Sequence, residues 1–262
     1  MTRRTRFRLT VLAIASTLVT PLYASRLPDS YLALPVLLDD DASGVYLQHR
    51  QSVYLVTARH VLFGPEGGEP TRPRVTLRSF TENRSIPDPI VFELDLAALY
   101  ESHHILSSKA DDIAAVRIGD VTSQEDHTVH WESAPGVVAR AQPGPAQIIL
   151  GANEWLRFDE AKVGNDVFLA STEQLERGRP LLLEGTLAEK QRATRRLIVD
   201  VRVSPRNLGG PAIAIEEVGP RSRQPRFVGI VVERIRQAPS FDDSEHAVVA
   251  SVDAILDLIE KP

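Results

Sequence analysis

The chain of 262 residues contains no cysteine. This absence excludes disulfide bonds, thiolate metal ligands, a cysteine nucleophile and a lipid-modified cysteine anchor. A secreted chain without disulfides has to be stabilised by its core, and the 43% hydrophobic content allows a sizeable one. The sequence also lacks a basic excess. Its net charge of -5 argues against nucleic acid as a main partner, because phosphate binding requires a basic face.

The apolar run Leu9–Val19, close to the N terminus, is too short to span a bilayer comfortably. Arginines precede this run and Leu22-Tyr23-Ala24, a sequence typical of a cleavage site, follows it. The order predicts a secretory signal peptide over residues 1–24, and with the missing cysteines it favours a bacterial periplasm. We expect no membrane association after cleavage; an uncleaved N-terminal anchor is the alternative.

Short runs rich in β-branched and aromatic residues recur between Gly/Pro-rich turns, a pattern typical of an all-β barrel or sandwich protein. The predicted strands of the first half are Tyr31–Leu38, Gly44–His49, Ser52–Thr57, Arg74–Phe80, Ile90–Leu96 and Ile113–Ile118. Those of the second half are Gln147–Leu150, Asp166–Ala170, Leu181–Ala188, Arg196–Val203, Pro211–Ile215, Phe227–Glu233 and Ala247–Ala250. The sequence shows neither internal repeats nor low-complexity segments.

The Pro/Gly/Ala-rich segment Ser133–Pro145 separates these two strand-rich halves and predicts a linker. The domain prediction is therefore a first β-domain over 25–132, the linker over 133–145 and a second β-domain over 146–250. A helix is predicted over 251–262, because Ser251 can cap it and Val252, Ile255, Leu256 and Ile259 make one apolar stripe.

Three segments combine into a possible reaction centre. His60 follows an apolar strand in T-A-x-H, Asp112 opens another strand in D-I-A-x-V, and the turn Ser204–Pro211 contains Gly-Gly-Pro. A nucleophilic triad requires an imidazole base, a carboxylate that orients it, and a loop that presents the nucleophile with backbone donors for an oxyanion. Each signal is weak by itself, and the order and spacing of the three carry the interpretation.

In this order the segments resemble the trypsin-like (chymotrypsin-class) serine peptidases of bacteria, whose nucleophile loop reads G-[DN]-S-G-G-P. The resemblance covers nearly all of the chain after residue 24 and implies two packed six-stranded β-barrels with a short C-terminal helix. It implies that His60 is a relic general base and Asp112 a relic orienting carboxylate. The position of the nucleophilic serine holds Leu208.

Further positions depart from that family. The resemblance places the oxyanion donors at the backbone N–H groups of Leu208 and Arg206, the latter at a position where the family has glycine. It aligns the substrate-binding Ser-aromatic-Gly segment with Val232, Glu233 and Arg234, and an arginine there would fill or charge the entrance to the cleft. Because leucine has neither a proton to lose nor a lone pair, Leu208 cannot act as a nucleophile.

Other candidate residues have structural interpretations beside the functional ones. Ser204 is a possible displaced nucleophile or a turn residue, and Ser171 and Thr172 are interpreted as turn residues. The charged run Arg192–Arg196 is expected on a solvated hairpin turn. Metal ligands could come from His103, His104, Glu125, Asp126, His127 and His130, but solvated surface is the better interpretation, and we expect no metal and no cofactor.

These features predict a secreted peptidase homologue that has lost hydrolysis and binds an extended peptide or a protein, with an unknown oligomeric state. The alternatives are an active serine endopeptidase with a displaced nucleophile that uses His60 and Asp112, and a scaffold that functions through the surface loop Phe63–Pro73.

Overall fold

The computed structural model describes residues 27–39, 41–64, 67–80, 90–125, 128–139, 150–175, 179–219, 222–236 and 245–261. The predicted signal peptide over 1–24 lies outside the described residues. The structure is mostly β-strand with two sheets and few helices, which confirms the all-β prediction.

Nine described strands of the first half form one antiparallel sheet, in the order β6-β7-β3-β2-β1-β4-β5-β9, with β8 paired to β7. The strands are β1 (Pro35–Leu38), β2 (Ala42–His49), β3 (Ser52–Ala58), β4 (Arg74–Ser79), β5 (Ile90–Asp95), β6 (Ile105–Ser108), β7 (Ile113–Glu125), β8 (Thr128–Ser133) and β9 (Val137–Ala139). This sheet has three more strands than the six-stranded barrel that the resemblance implies, since β8 and β6 both pair with β7 and β9 pairs with β5.

Two short helices belong to this half, α1 (Arg59–Phe63) and α2 (Leu96–Glu101). Helix α2 starts where the sequence predicts the end of a strand, because the Asp95 carboxylate accepts a hydrogen bond from the Ala98 N–H at 3.1 Å and caps the first turn. A 3-10 turn at Asp29–Ala33 likewise replaces the first part of the strand predicted over Tyr31–Leu38. This turn buries Leu34 in the core.

Six described strands of the second half close into a barrel, in the order β10-β11-β12-β15-β14-β13. They are β10 (Asp166–Leu175), β11 (Arg179–Gln191), β12 (Arg196–Asp200), β13 (Pro211–Gly219), β14 (Ser222–Arg236) and β15 (Glu245–Ser251). Pairing of β10 with β13 closes the ring. The number of strands and the closure match the expected six-stranded barrel.

The strand β9 lies inside the segment predicted as a linker, and residues 140–145 of that segment are outside the described residues. Leu150 is described as an isolated bridge to Leu47, while 147–149 of the predicted strand are not described. The division of the chain into domains stays a prediction.

Helix α3 (Val252–Glu260) ends the described chain. Its apolar stripe is buried, as the spacing predicts, but the Ser251 side chain makes no capping hydrogen bond. The Asp253 carboxylate instead accepts a hydrogen bond from the Phe158 N–H at 2.6 Å. It also forms an ion pair with the Arg157 guanidinium, at an N–O distance of 2.7 Å. No helix among the described residues is long and apolar enough to cross a membrane.

Three apolar clusters organise the two halves. One fills the interior of the nine-stranded sheet and another fills the barrel. The third lies between the halves, where Val45 and Val56 of the sheet share a cluster with Phe227 and Ile230 of the barrel and with α3. Burial of apolar area on this scale holds the two halves together and fixes the cleft between them.

Candidate functional site

The site is an open cleft of about 360 Å³ with walls from both halves of the chain. His60 and Asp112 come from the first half, and the remaining lining residues, Arg196, Leu208, Val232, Glu233 and Arg234, come from the second. The structure therefore brings together the His-Asp-loop constellation that the sequence predicts, and it places the predicted substrate-binding segment beside it.

His60 and Asp112 form the polar wall of the cleft. The His60 Nδ1 lies 2.6 Å from Asp112 Oδ2, and the His60 backbone N–H donates to Asp112 Oδ1 at 3.0 Å. With the imidazole proton on Nδ1, Nε2 becomes the acceptor that a general base needs. About a third of each side chain or less is exposed, at 34% for His60 and 26% for Asp112, so the pair is shielded but reachable from the cleft.

The local chain geometry explains this pairing. Strand β3 ends at Ala58 and α1 turns His60 toward the start of β7, which pairs with β3. Asp112 has a left-handed backbone (φ 56°), and its carbonyl accepts the Arg59 N–H at 2.9 Å. Aspartate adopts this conformation more readily than most residues, so backbone and side chain of Asp112 both hold the start of α1.

Leu208 occupies the other wall, after a 3-10 turn at Pro205–Asn207. Its side chain is half-buried and packs partly against the core of the barrel. No atom of this side chain can attack a carbonyl or accept a proton from His60. The Leu208 N–H donates within the turn to the Pro205 carbonyl at 3.2 Å, so one of the two predicted oxyanion donors is already engaged.

The glycines after Leu208 are required by close packing. Gly209 has a φ of +84°, and a Cβ there would lie 2.0 Å from the Ser43 carbonyl oxygen and 2.2 Å from the Thr57 hydroxyl. The Gly209 N–H donates to Val231 O at 2.6 Å, and the Gly210 carbonyl accepts the Val231 N–H at 2.9 Å. The turn is thereby joined to β14 on one side and to the first sheet on the other.

Two polar residues of the first sheet that the sequence prediction missed hold this turn. Ser43 donates from its hydroxyl to the Arg206 carbonyl at 2.7 Å and from its backbone N–H to Leu208 O at 3.0 Å. Thr57 donates from its hydroxyl to Ser43 O at 2.6 Å. Both side chains are fully buried. Buried hydroxyls in otherwise apolar strands are the signal that could have found them.

Arg196 is a further lining residue, and its assignment to a solvated hairpin turn is wrong. The turn covers 192–195, and Arg196 begins β12. Its guanidinium donates to the Ala110 carbonyl at 3.0 Å and lies 3.4 Å from a Glu233 oxygen, so it crosses from the barrel to the segment before Asp112. A run of arginines in the sequence does not show which member turns inward, because this depends on the register of β12 against its neighbours.

Ser204 does not line the cleft. Its hydroxyl donates to the Asn207 side-chain oxygen at 3.2 Å, and its backbone N–H donates to the same oxygen at 2.7 Å. Asn207 is fully buried, so this bond belongs to the structure of the turn. Ser171 lies on β10, and the side chains of Ser171 and Thr172 are outside the described part.

Within the described residues no group of three or more His, Asp or Glu side chains could hold a metal ion. His103 and His104 are described, whereas Asp126 and His127 lie outside the described ranges, as do the side chains of Glu125 and His130.

Taken together, the chain is an all-β protein whose two halves enclose a cleft with a hydrogen-bonded histidine-aspartate pair. No family model and no curated protein matches it. Among solved structures it is similar to the HtrA-type protease AlgW with tripeptide, with 11% identity and a TM-score of 0.49, over 88% of this chain and 60% of that one. An alanine-substituted form of that protease, also with tripeptide, gives the same coverage and identity with a TM-score of 0.48.

Proposed function

We propose that this chain is a trypsin-like peptidase homologue that does not cleave peptides and instead binds an extended peptide or protein segment in the cleft. Its role is that of an interaction or regulatory module, secreted to the periplasm by the N-terminal signal. One observation carries the proposal: Leu208 stands in the cleft at the position where the resemblance requires a serine, beside a His60–Asp112 pair at 2.6 Å.

The loss of hydrolysis follows from the chemistry of Leu208. An acyl transfer needs a nucleophile within reach of the base and donors aimed at the developing oxyanion. Leucine supplies no nucleophile, and its N–H is directed to the Pro205 carbonyl. Loss of the serine alone lowers the kcat of a serine protease by a factor of about 10⁶.

Peptide binding is supported by the way β14 runs past the cleft. On one side β14 pairs with β15 from Gly229 to Arg236. On its other side, pairing with β13 ends at Ile230, and Val231 pairs with the turn that contains Gly209 and Gly210. Among the described residues no strand continues along that side from Val232 onward. An extended peptide that adds to an exposed strand gains main-chain hydrogen bonds without any reaction.

The test uses the mature chain, residues 25–262, and a pool of short extended peptides with blocked termini. We expect the protein to retain peptides that mass spectrometry recovers uncleaved. Leu208→Trp fills the cleft and should weaken retention at least about tenfold, whereas Leu208→Ala leaves the turn intact and should preserve it. Circular dichroism on both variants controls for folding.

Two results would contradict the proposal. Recovery of cleaved peptides would favour an active endopeptidase with a displaced nucleophile. In that case the cleavage should be absent in the His60→Ala variant. Retention that Leu208→Trp leaves unchanged would place binding outside the cleft, as the hypothesis of a functional loop at Phe63–Pro73 requires.

A further inference from the structure

The charges that line the cleft differ in how well they are paired. The cleft is lined by two acidic residues, Asp112 and Glu233, and by two arginines, Arg196 and Arg234. Both oxygens of Asp112 are engaged by His60, one through the imidazole and one through the backbone N–H. Glu233 has Arg196 as its partner at 3.4 Å. Each acid of the cleft is therefore already engaged by a protein donor.

The arginines are less completely engaged. Arg234 follows Glu233 on β14, where it pairs through its backbone with Ala247 of β15, and its side chain is only partly buried. In the described residues its guanidinium has neither an ion pair nor a hydrogen bond. Arg196 uses one bond to a backbone carbonyl and one long contact to Glu233, although a guanidinium carries five N–H donors. The cleft thus has cationic donors in excess of its acceptors.

Two of the residues that line the cleft are apolar. Val232 is buried and Leu208 is half-buried against the barrel core, and neither provides a polar atom from its side chain. A ligand that matches this surface has an extended backbone, apolar side chains toward Leu208 and Val232, and an anionic group at Arg234. Guanidinium groups bind carboxylates in a planar, two-bond geometry, which makes a carboxylate the fitting anion.

We infer that the cleft selects peptides that carry a glutamate or aspartate side chain, and that Arg234 binds this side-chain carboxylate. The inference rests on the proposed function, because it names the peptide class that the same cleft takes. Arg234 is a specificity-determining residue in this scheme, and Arg196 positions Glu233 so that this acid does not pair with Arg234. The chain as a whole is acidic, so an attraction for acidic peptides has to arise locally at these arginines.

The experiment compares three peptide pools with blocked termini, identical apart from a central Glu, Gln or Lys, for retention by the mature chain. We expect the Glu pool to be retained about tenfold better than the Gln pool, as for a charge-assisted hydrogen bond, with the Lys pool weakest. Arg234→Gln should remove the difference between Glu and Gln while the Gln pool still binds. Arg234→Glu should reverse the order of the Glu and Lys pools.

Arg50→Gln is the matched control, because Arg50 is an exposed arginine on the β2–β3 turn and does not line the cleft. It should keep the wild-type preference. Raising the salt concentration should reduce the Glu preference and leave retention of the Gln pool nearly unchanged.

The possible failures are distinguishable. Equal retention of the three pools by the wild-type chain, or a Glu preference that persists in Arg234→Gln, overturns this inference and leaves the proposed function standing. A requirement for a free C-terminal carboxylate, tested with unblocked peptides, overturns the assignment to a side chain. If no pool binds at all, the proposed function fails together with the inference.

Discussion

The two walls of the cleft differ in the chemical groups that they present. The wall from the first sheet presents the imidazole of His60, which is held by two hydrogen bonds between His60 and Asp112. The wall from the barrel presents Leu208, which has no hydroxyl and whose N–H is used inside the turn.

The packing of this turn and its chemical groups therefore depend on different residues. Gly209 and Gly210 fit against Ser43 and Thr57, where any larger residue would collide with buried backbone. Residue 208, in contrast, lines the open cleft, and its side chain is only partly packed against the barrel core. Packing alone can thus require glycine after residue 208, whichever side chain residue 208 carries.

The largest effect is expected from Gly209→Ala. A Cβ at Gly209 would lie 2.0 Å from the Ser43 carbonyl oxygen at a positive φ, so we expect a loss of about 3 to 5 kcal/mol in the free energy of unfolding. Gly164→Ala is the control, because Gly164 also has a positive φ but no atom within 4 Å of a Cβ; it should cost about 1 to 2 kcal/mol. Urea unfolding measures both, and equal losses would refute the role of packing.

A smaller loss is expected from Thr57→Val, which removes the donor to the Ser43 carbonyl and leaves that buried oxygen with one bond fewer. The expected cost is about 1 to 3 kcal/mol. Thr57→Ser keeps the hydroxyl and loses only a buried methyl, which costs about 1 kcal/mol. If the serine variant is as unstable as the valine variant, the hydrogen bond is not what holds the turn.

The smallest effect on stability is expected from Asp112→Asn, at about 1 kcal/mol or less, because the pair is partly exposed to solvent. The sharper consequence concerns the imidazole. In the wild-type chain the Nδ1–H tautomer of His60 should dominate, and an asparagine, which can offer an N–H, should shift the population toward Nε2–H. Nitrogen NMR of His60 measures the tautomer, and an unchanged tautomer would show that Asp112 does not orient the ring.

Much of the cleft could be predicted from local sequence. His60, Asp112, Leu208 and the segment Val232–Arg234 all line it, because each belongs to a short pattern at a strand end whose place in an all-β fold the resemblance supplies. The barrel strands were also recognisable from their β-branched runs between turns. Sequence patterns predict an element poorly where one residue decides the local geometry. The predicted strand Ile90–Leu96 ends early, for example, because the Asp95 carboxylate caps the first turn of α2.

The remainder depends on contacts between distant parts of the chain. Arg196 was missed because its inward direction follows from the pairing of β12 with β11 and β15. The Leu208 N–H donates to the Pro205 carbonyl because of the 3-10 turn. Ser43 stabilises this turn by a hydrogen bond to the Arg206 carbonyl, although the two residues are 163 positions apart in the sequence. No local pattern in a single sequence contains that information.

We propose that the barrel wall, and not the histidine wall, prevents hydrolysis. Fluorophosphonate labelling of the mature chain tests it most directly, in the wild type, in Leu208→Ser, in Arg206→Gly/Leu208→Ser, and in the last of these with His60→Ala added. We predict no labelling of the wild type. The single variant Leu208→Ser should label weakly, because the N–H of residue 208 is engaged in the turn. The double variant should label clearly, and adding His60→Ala should abolish this labelling. Labelling of the wild-type chain, at whichever serine, would contradict the claim.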